Sequence, residues 1–261
     1  MVIAQGQRLE AVWHGPPPQE APTLVFLHEG LGCVAMWRDF PERLAQDTGC
    51  GALVYSRQGY GRSEPVTLPR PLDYMQREGL TTLPAVLDAA GVRQAILVGH
   101  SDGASIAIVH AGAAGRADSA ACRVRGLIVL APHLFCEELS IQSIARAQKE
   151  YLHGELRARL HRYHGDNVDG AFWGWNDAWL DPRFRDFNIE ESLPTIRVPI
   201  QAIQGEADPY GTLRQIESLA RGVAGPLQRL ILPGCGHAPH KERTEETRSK
   251  MTAFVRQALG R

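Results

Sequence analysis

Nowhere in these 261 residues does an apolar run reach the length that a membrane-spanning helix needs; the longest runs are strand-sized. The start, Met1 to Glu10, lacks the shape of a signal peptide. Cysteine is scarce: Cys33, Cys50, Cys122, Cys136 and Cys235 are odd in number and widely spaced. That pattern offers no disulfide framework and no paired metal ligands, and it suits a reduced, cytoplasmic setting in which each cysteine is a small buried hydrophobe. An excess of either charge is missing too, with 28 Lys and Arg against 29 Asp and Glu. Neither nucleic acid nor an anionic membrane is therefore expected as a partner. The histidines lack zinc-site spacing, no metal or cofactor is expected, and the oligomeric state is left open. No internal repeat or low-complexity segment stands out.

What is present is a chain with 44% hydrophobic residues, enough for one α/β domain with a sizeable core. Short apolar runs at Thr23 to Leu27, Ala52 to Tyr55, Ala95 to Val98, Gly126 to Leu130, Pro199 to Ile203 and Leu227 to Leu232 predict strands. Such unbroken runs suit a parallel sheet covered on both faces. Arg8 to Trp13 predicts an antiparallel edge strand. Helices are expected over Met36 to Asp47, Leu72 to Ala90, Ser101 to Ala114, Leu213 to Arg221 and Glu242 to Leu259. From His133 to about Leu193 no strand is expected. That stretch is helical in character, rich in Arg and His, and holds the aromatic cluster Phe172, Trp173, Trp175, Trp179, Phe184 and Phe187. It predicts three parts: a core over residues 1–132, a helical cap over 133–193 lying on the carboxyl edge of the sheet, and the rest of the core over 194–261.

The chemistry centres on Gly99-His100-Ser101-Asp102-Gly103, which follows one predicted strand and opens a helix. A serine at such an apex is raised above the sheet at a helix N-terminus, where free N–H groups favour a developing negative charge. A serine hydroxyl needs a base, an acid to orient that base, and donors for the oxyanion. His237, in Gly234-Cys235-Gly236-His237, follows the last strand and is the base candidate. Asp208, in Gly205-Glu206-Ala207-Asp208-Pro209, follows the strand before it and is the acid candidate. Glu206 is a rival acid, less well placed, and His240 is a rival base taken as a surface residue. Ser101 could instead be a plain helix N-cap, and Asp208 a turn residue.

Elbow, acid loop and histidine loop, each after its own strand in the order Ser, Asp, His, make the chain resemble the α/β-hydrolase family over nearly its whole length. The resemblance implies an eight-stranded, mostly parallel sheet flanked by helices, with a cap inserted after the sixth strand. It implies an oxyanion hole formed by the backbone N–H groups of Asp102 and Gly30. Glu29 is the less favoured alternative to Gly30, in a loop His28-Glu29-Gly30-Leu31-Gly32 where the family often has H-G-x-P-G. It also implies that Ser56-Arg57-Gln58-Gly59-Tyr60-Gly61-Arg62-Ser63 matches the family's D-x-R-G-x-G-x-S loop, structural in role, with Ser56 in place of the acid. His28 is expected to order the oxyanion loop and His100 to pack behind the elbow.

Glu29, Asp102, Trp173 and Trp175 are the candidate substrate contacts. Asp102 has two readings: an acid in the first turn of its helix that favours the dipole, or a carboxylate facing a substrate amine or hydroxyl; the first is preferred. The aromatic cluster either anchors the cap or lines an acyl pocket. Arg157, Arg159, Arg162, Arg183 and Arg185 read as a solvated helix face. The expected function is a serine hydrolase acting on a small-molecule carboxyl ester, thioester or lactone. The alternatives are a carbon–carbon bond hydrolase acting on a diketone-like acid, which an arginine in the pocket would favour, and a ligand-binding receptor of the same fold with low turnover.

Overall fold

The computed structural model describes residues 1–116 and 123–261; Cys122 lies outside them. The apolar runs assemble one seven-stranded sheet, in the order β3-β5-β4-β6-β7-β8-β9. Its strands are β3 (Ala11–His14), β4 (Thr23–Leu27), β5 (Gly51–Tyr55), β6 (Ala95–His100), β7 (Val124–Leu130), β8 (Ile200–Gly205) and β9 (Leu227–Leu232). Only β3 runs antiparallel, against β5; the other pairings are parallel.

Alternate residues of the central strands feed two cores, as a pleated strand covered on both faces requires. Val25, Leu27, Leu53 and Leu97 join one core. Leu24, Phe26, Val54, Ile96 and Val98 join the other, against Phe40 and Leu44 of α1 (Phe40–Thr48) and Met251, Phe254 and Val255 of the last helix (Thr244–Ala258). The edge strand β9 is half-exposed along most of its length.

Two sequence expectations need correction here. The single edge strand over Arg8 to Trp13 is broken at Glu10, and an eighth sheet strand is replaced by a separate hairpin of β1 (Val2–Ala4) and β2 (Gln7–Leu9). The break has a cause. Glu10 turns its carboxylate to Ser56 Oγ (2.7 Å) and the Arg62 N–H (3.0 Å), while its own N–H donates to Ser63 Oγ. Ala4 and Leu9 still bury themselves in the core that holds Val86 and Leu87.

The predicted helix over Leu72 to Ala90 is wound as α2 (Tyr74–Arg77), a π-helical turn (Glu78–Thr82) and α3 (Leu83–Ala89). Helix α4 (Asp102–Arg116) follows β6 directly. Between β7 and β8 lie α5 (Glu138–His153), α6 (Leu156–His164) and α7 (Val168–Leu180), with short 3-10 turns after α7. A bridge between Phe135 and Asn188 ties the two ends of this insertion together. After β8 come α8 (Arg214–Gly222) and, past β9, α9 (Pro239–Glu242) and α10 (Thr244–Ala258). No helix among the described residues is long and apolar enough to cross a membrane.

Candidate active site

Ser101 sits between β6 and α4 at φ 53°, a left-handed backbone that costs a non-glycine residue about 1–2 kcal/mol. Its N–H donates to Leu130 O of β7 (2.9 Å), and its carbonyl accepts from Ala104 and Ser105. The two glycines are there for room. A Cβ on Gly103 would lie 2.0 Å from Leu27 O, and one on Gly99 would lie 2.4 Å from Gly103 O. The turn can therefore nest against β4 only if both positions lack a side chain.

Asp208 and His237 meet in the loops after β8 and β9. His237 Nδ1 lies 2.8 and 2.9 Å from the two Asp208 oxygens. Asp208 also accepts from Gln204 Nε2 (2.7 Å) and the Tyr210 N–H (2.8 Å). A carboxylate can only accept, so Nδ1 carries a proton, and in the neutral tautomer this fixes, Nε2 is the nitrogen with the lone pair. Burial works against the Asp208 charge, but His237 and the Tyr210 N–H outweigh it and hold the carboxyl below its usual range. Ser101 and His237 face one cavity of about 90 Å³. Among the described residues no hydrogen bond joins Ser101 Oγ to the imidazole, and catalytic hydrogen bonds often tighten only when substrate binds. Glu206 is exposed and takes no part.

Gly30 and Asp102 line the same cavity, and no acceptor among the described residues takes their N–H groups. The Glu29 carbonyl is pinned by His28 Nδ1 (2.7 Å), Arg57 Nη2 (3.0 Å) and the Gly32 N–H (3.1 Å). In a trans peptide the N–H points opposite to the C=O, so the Gly30 N–H is turned away from those donors. His28 accepts the Arg57 N–H at Nε2 (3.0 Å), and burial with Arg57 beside it holds the ring neutral, well below its ordinary pKa.

The other predicted positions divide. Glu29 lines the cavity, but its two oxygens rest 3.4 Å from Lys241 Nζ and 3.4 Å from His100 Nδ1. Burial opposes its charge, and these two neighbours overcome that and hold its carboxyl well below the usual range. His100 lies behind the elbow, its Nε2 2.7 Å from the His237 carbonyl. Trp175 lines the cavity and its indole abuts Gly30, where a Cβ would come within 2.2 Å of Nε1.

Trp173 is not among the residues that line the cavity; it packs edge-on against Tyr151 and Phe172. Residues two apart on a helix do not share a face. His240 is not on the surface but buried against Trp37 and His100, because α9 turns it inward, and burial keeps it uncharged. Asp102 stands in the first turn of α4, as its preferred reading has it, but its side chain is 1% exposed and accepts from Tyr74 OH (2.5 Å), with Arg57 Nη1 3.9 Å away, so the carboxylate is engaged by the protein rather than open to a substrate.

Leu31, His133, Ser140, Ile144 and Tyr210 line the cavity without being site candidates in the sequence, and Trp179 joins them from the aromatic cluster. Trp179 stands four residues after Trp175, a spacing that places both on one face. His133 follows β7 as His28 follows β4, and burial lowers its pKa to about 4. Of the arginines on the insertion, Arg157, Arg159, Arg183 and Arg185 make exposed ion pairs with acids on their own segment, and Arg162 is exposed. Cys33, Cys50 and Cys235 are buried, Cys136 half so.

Comparison with known proteins places the fold. The chain is 33% identical over 105 residues to epoxide hydrolase B of Mycobacterium tuberculosis, a match spanning 40% of this chain and only 28% of that protein. It is 24% identical over 259 residues to proline iminopeptidase of Lactobacillus helveticus, covering 87% of each. The solved enol-lactonase from Burkholderia xenovorans LB400 superposes with a TM-score of 0.74 at 19% identity, over 97% of this chain and 98% of that one. Proline iminopeptidase of Mycobacterium smegmatis does so at 0.71 and 18%, over 98% and 97%. At such identities the likeness speaks for the fold. The model of the alpha/beta hydrolase family matches residues 24–249, most of the sheet and all three loops of the site, and the chain belongs to that family.

Proposed function

We propose that this protein is a serine hydrolase that cleaves a small, uncharged carboxyl ester, thioester or lactone through an acyl-enzyme on Ser101. The observation that carries the reading is the Asp208–His237 pair, which engages Nδ1 and leaves Nε2 as the nitrogen free to act as base in the cavity that Ser101 faces. In the first step Ser101 Oγ bonds to the acyl carbon as its proton passes to His237 Nε2, and the carbonyl electrons move onto oxygen. The N–H groups of Asp102 and Gly30 hold that oxyanion; one such donor contributes roughly 10²–10³-fold to rate. Collapse expels the alkoxide or thiolate, which takes the proton from His237. Water then attacks the acyl carbon, giving its proton to His237, and the second collapse returns Ser101 and frees the acid. Asp208 holds the imidazole tautomer throughout. The helices over residues 133–193 act as the cap, with Ile144, Trp175 and Trp179 as its inner wall.

The lining supports an uncharged substrate. It carries Glu29 and Asp102 and, among the described residues, no arginine or lysine. A diketone-like acid would find no cation to hold its carboxylate, which weighs against carbon–carbon cleavage. The cavity is also smaller than the roughly 150 Å³ void that takes benzene, which favours short acyl groups. Labelling by a fluorophosphonate probe tests the nucleophile: Ser101→Ala and His237→Ala are expected to abolish it. Labelling that persists in Ser101→Ala would refute the assignment. A series of nitrophenyl esters is expected to show kcat/KM falling as the acyl chain lengthens.

A further inference from the structure

A buried chain of hydrogen bonds, with one ion pair among them, runs behind the catalytic cavity and reaches the peptides of both of its free amides. Arg57 is its hub. One guanidinium nitrogen, Nη2, donates to Glu29 O (3.0 Å), the carbonyl of the peptide whose N–H belongs to Gly30. The other, Nη1, lies 3.9 Å from Asp102 Oδ2, on the residue that carries the second amide. Tyr74 OH donates to that same oxygen (2.5 Å) and accepts from Trp179 Nε1 (3.0 Å). The direction of this run is fixed, because an indole N–H can only donate and a carboxylate only accept. Trp179 is itself part of the cavity wall. The chain therefore runs from the helical insertion, through α2, to the first residue of α4 and on to the loop after β4.

We propose that Arg57, Asp102 and Tyr74 are positioning residues that hold the Gly30 and Asp102 amides in register with each other, and that Trp179 ties this register to the seating of the helical insertion. The proposal rests on the serine-hydrolase reading, in which those two amides bind the oxyanion. Two facts weigh against mere stability as the purpose. Burying an arginine and an aspartate is costly, and an apolar pair of similar volume often serves a core as well or better. The group is also incompletely satisfied: Arg57 Nη1 and Asp102 Oδ1 are buried without a hydrogen-bond partner. Amides that must receive charge need donors and acceptors fixed before the reaction, since reorganisation at the moment of attack is what slows it. The carboxylate of Asp102 is the means: anchored from two sides, it fixes the peptide at the head of α4, while Arg57 fixes the opposing peptide.

The test is a double-mutant cycle of Tyr74→Phe and Trp179→Phe, read by steady-state hydrolysis of a short nitrophenyl ester and by inhibition with an aryl boronic acid, which forms a tetrahedral adduct on the serine. Tyr74→Phe is expected to lower kcat about tenfold or more with KM within about twofold, and to weaken the boronic acid by the same factor. Trp179→Phe is expected to lower kcat less, and the double variant to be no slower than Tyr74→Phe, since both act through one hydroxyl. Asp102→Asn, which can still accept from Tyr74, is expected to retain several-fold more kcat than Asp102→Ala; this pair decides the matter if Tyr74→Phe folds poorly. Wild-type kcat in Tyr74→Phe, a change in KM alone, additive losses in the double variant, or equal loss in Asn and Ala would each overturn the proposal while hydrolysis by the wild type stands. Hydrolysis surviving in Ser101→Ala would instead remove the nucleophile reading, and the proposal with it.

Discussion

Gly30→Ala is the sharpest single perturbation the site offers. Gly30 does not occupy a left-handed backbone conformation, so alanine meets no conformational penalty there. The whole effect must come from space. A Cβ at Gly30 lies 2.2 Å from Trp175 Nε1, 2.3 Å from Cδ1 and 3.1 Å from Cε2, whereas ordinary contact begins near 3.4 Å. The indole or the loop must therefore yield by about 1 Å, the scale of misplacement that costs a site on the order of 10²-fold. The indole has little freedom, being 6% exposed and in edge contact with Phe172. The loop is anchored on either side of Gly30, at the Glu29 carbonyl and by His164 Nε2 on Leu31 O (3.0 Å), while the Gly30 N–H has no acceptor among the described residues, so that amide is expected to give way. Loss of one oxyanion donor costs about 2.7–4 kcal/mol. Gly30→Ala is thus expected to lower kcat on a nitrophenyl ester by roughly 10²–10³ with a smaller change in KM. Its melting should drop by an overpacking cost of about 1–3 kcal/mol. Trp175→Leu added to Gly30→Ala removes the obstacle and should recover part of the lost kcat. A Gly30→Ala variant with wild-type kcat and KM, or one that Trp175→Leu leaves unchanged, would refute both the contact and the role of the amide.

Gly103→Ala meets a backbone oxygen rather than a side chain, Leu27 O at 2.0 Å, and should reduce soluble yield and melting temperature far more than Gly30→Ala does; equal stability would contradict the nesting of the elbow on β4. Trp173→Ala should lower stability yet leave KM within about twofold, whereas Trp175→Ala should change KM for the ester series, because only the second wall residue is in the cavity. Burial keeps His28 and His240 well below the ordinary histidine range and His133 at about 4, so these rings stay neutral in the fold while the unfolded chain takes up protons below about 6.5. Stability should therefore fall as pH drops from 7 through 6.5 towards 4, with His133 alone contributing about 3 kcal/mol across that window; urea melts giving a flat profile from pH 7.5 to 4.5 would show that the buried rings do accept protons.

Strand ends were legible because the central strands, covered on both faces, read as near-continuous apolar runs; Ser101 and Asp208 each follow such a strand, and His237 follows the half-exposed edge strand β9. The close turns were legible because glycine stands where Leu27 O and Gly103 O leave no room for a Cβ. What periodicity could not supply is the phase of a helix relative to its neighbours. The spacing of Trp175 and Trp179 puts them on one face of α7, but that this face, and not that of Trp173, looks into the cavity is decided by where α7 crosses the sheet. His240 shows the same limit over a shorter distance. Pro239 starts α9, and the turn of that helix carries His240 under His100 rather than into solvent.

The loop at Ser56 shows why a missing motif residue can mislead. The family pattern has an acid there, and its physical task is to accept hydrogen bonds inside a tight, glycine-rich turn. Here the carboxylate arrives from Glu10, at the break between β2 and β3, and accepts from Ser56 Oγ and the Arg62 N–H. Ser56 Oγ in turn accepts from Val34 N (2.9 Å), as a hydroxyl can because it both donates and accepts. Gly61 leaves the space, since a Cβ there would sit 2.1 Å from Glu10 Oε2. The same carboxylate that interrupts the N-terminal strand therefore supplies the acceptor that the loop lacks. Asp102 follows the same logic. Its partners Tyr74 and Arg57 come from segments 28 residues or more away, so no local pattern around the elbow could have named them. At Ser56 it is the acceptor, and at Asp102 the donors, that come from segments distant in the sequence, which a local motif cannot show.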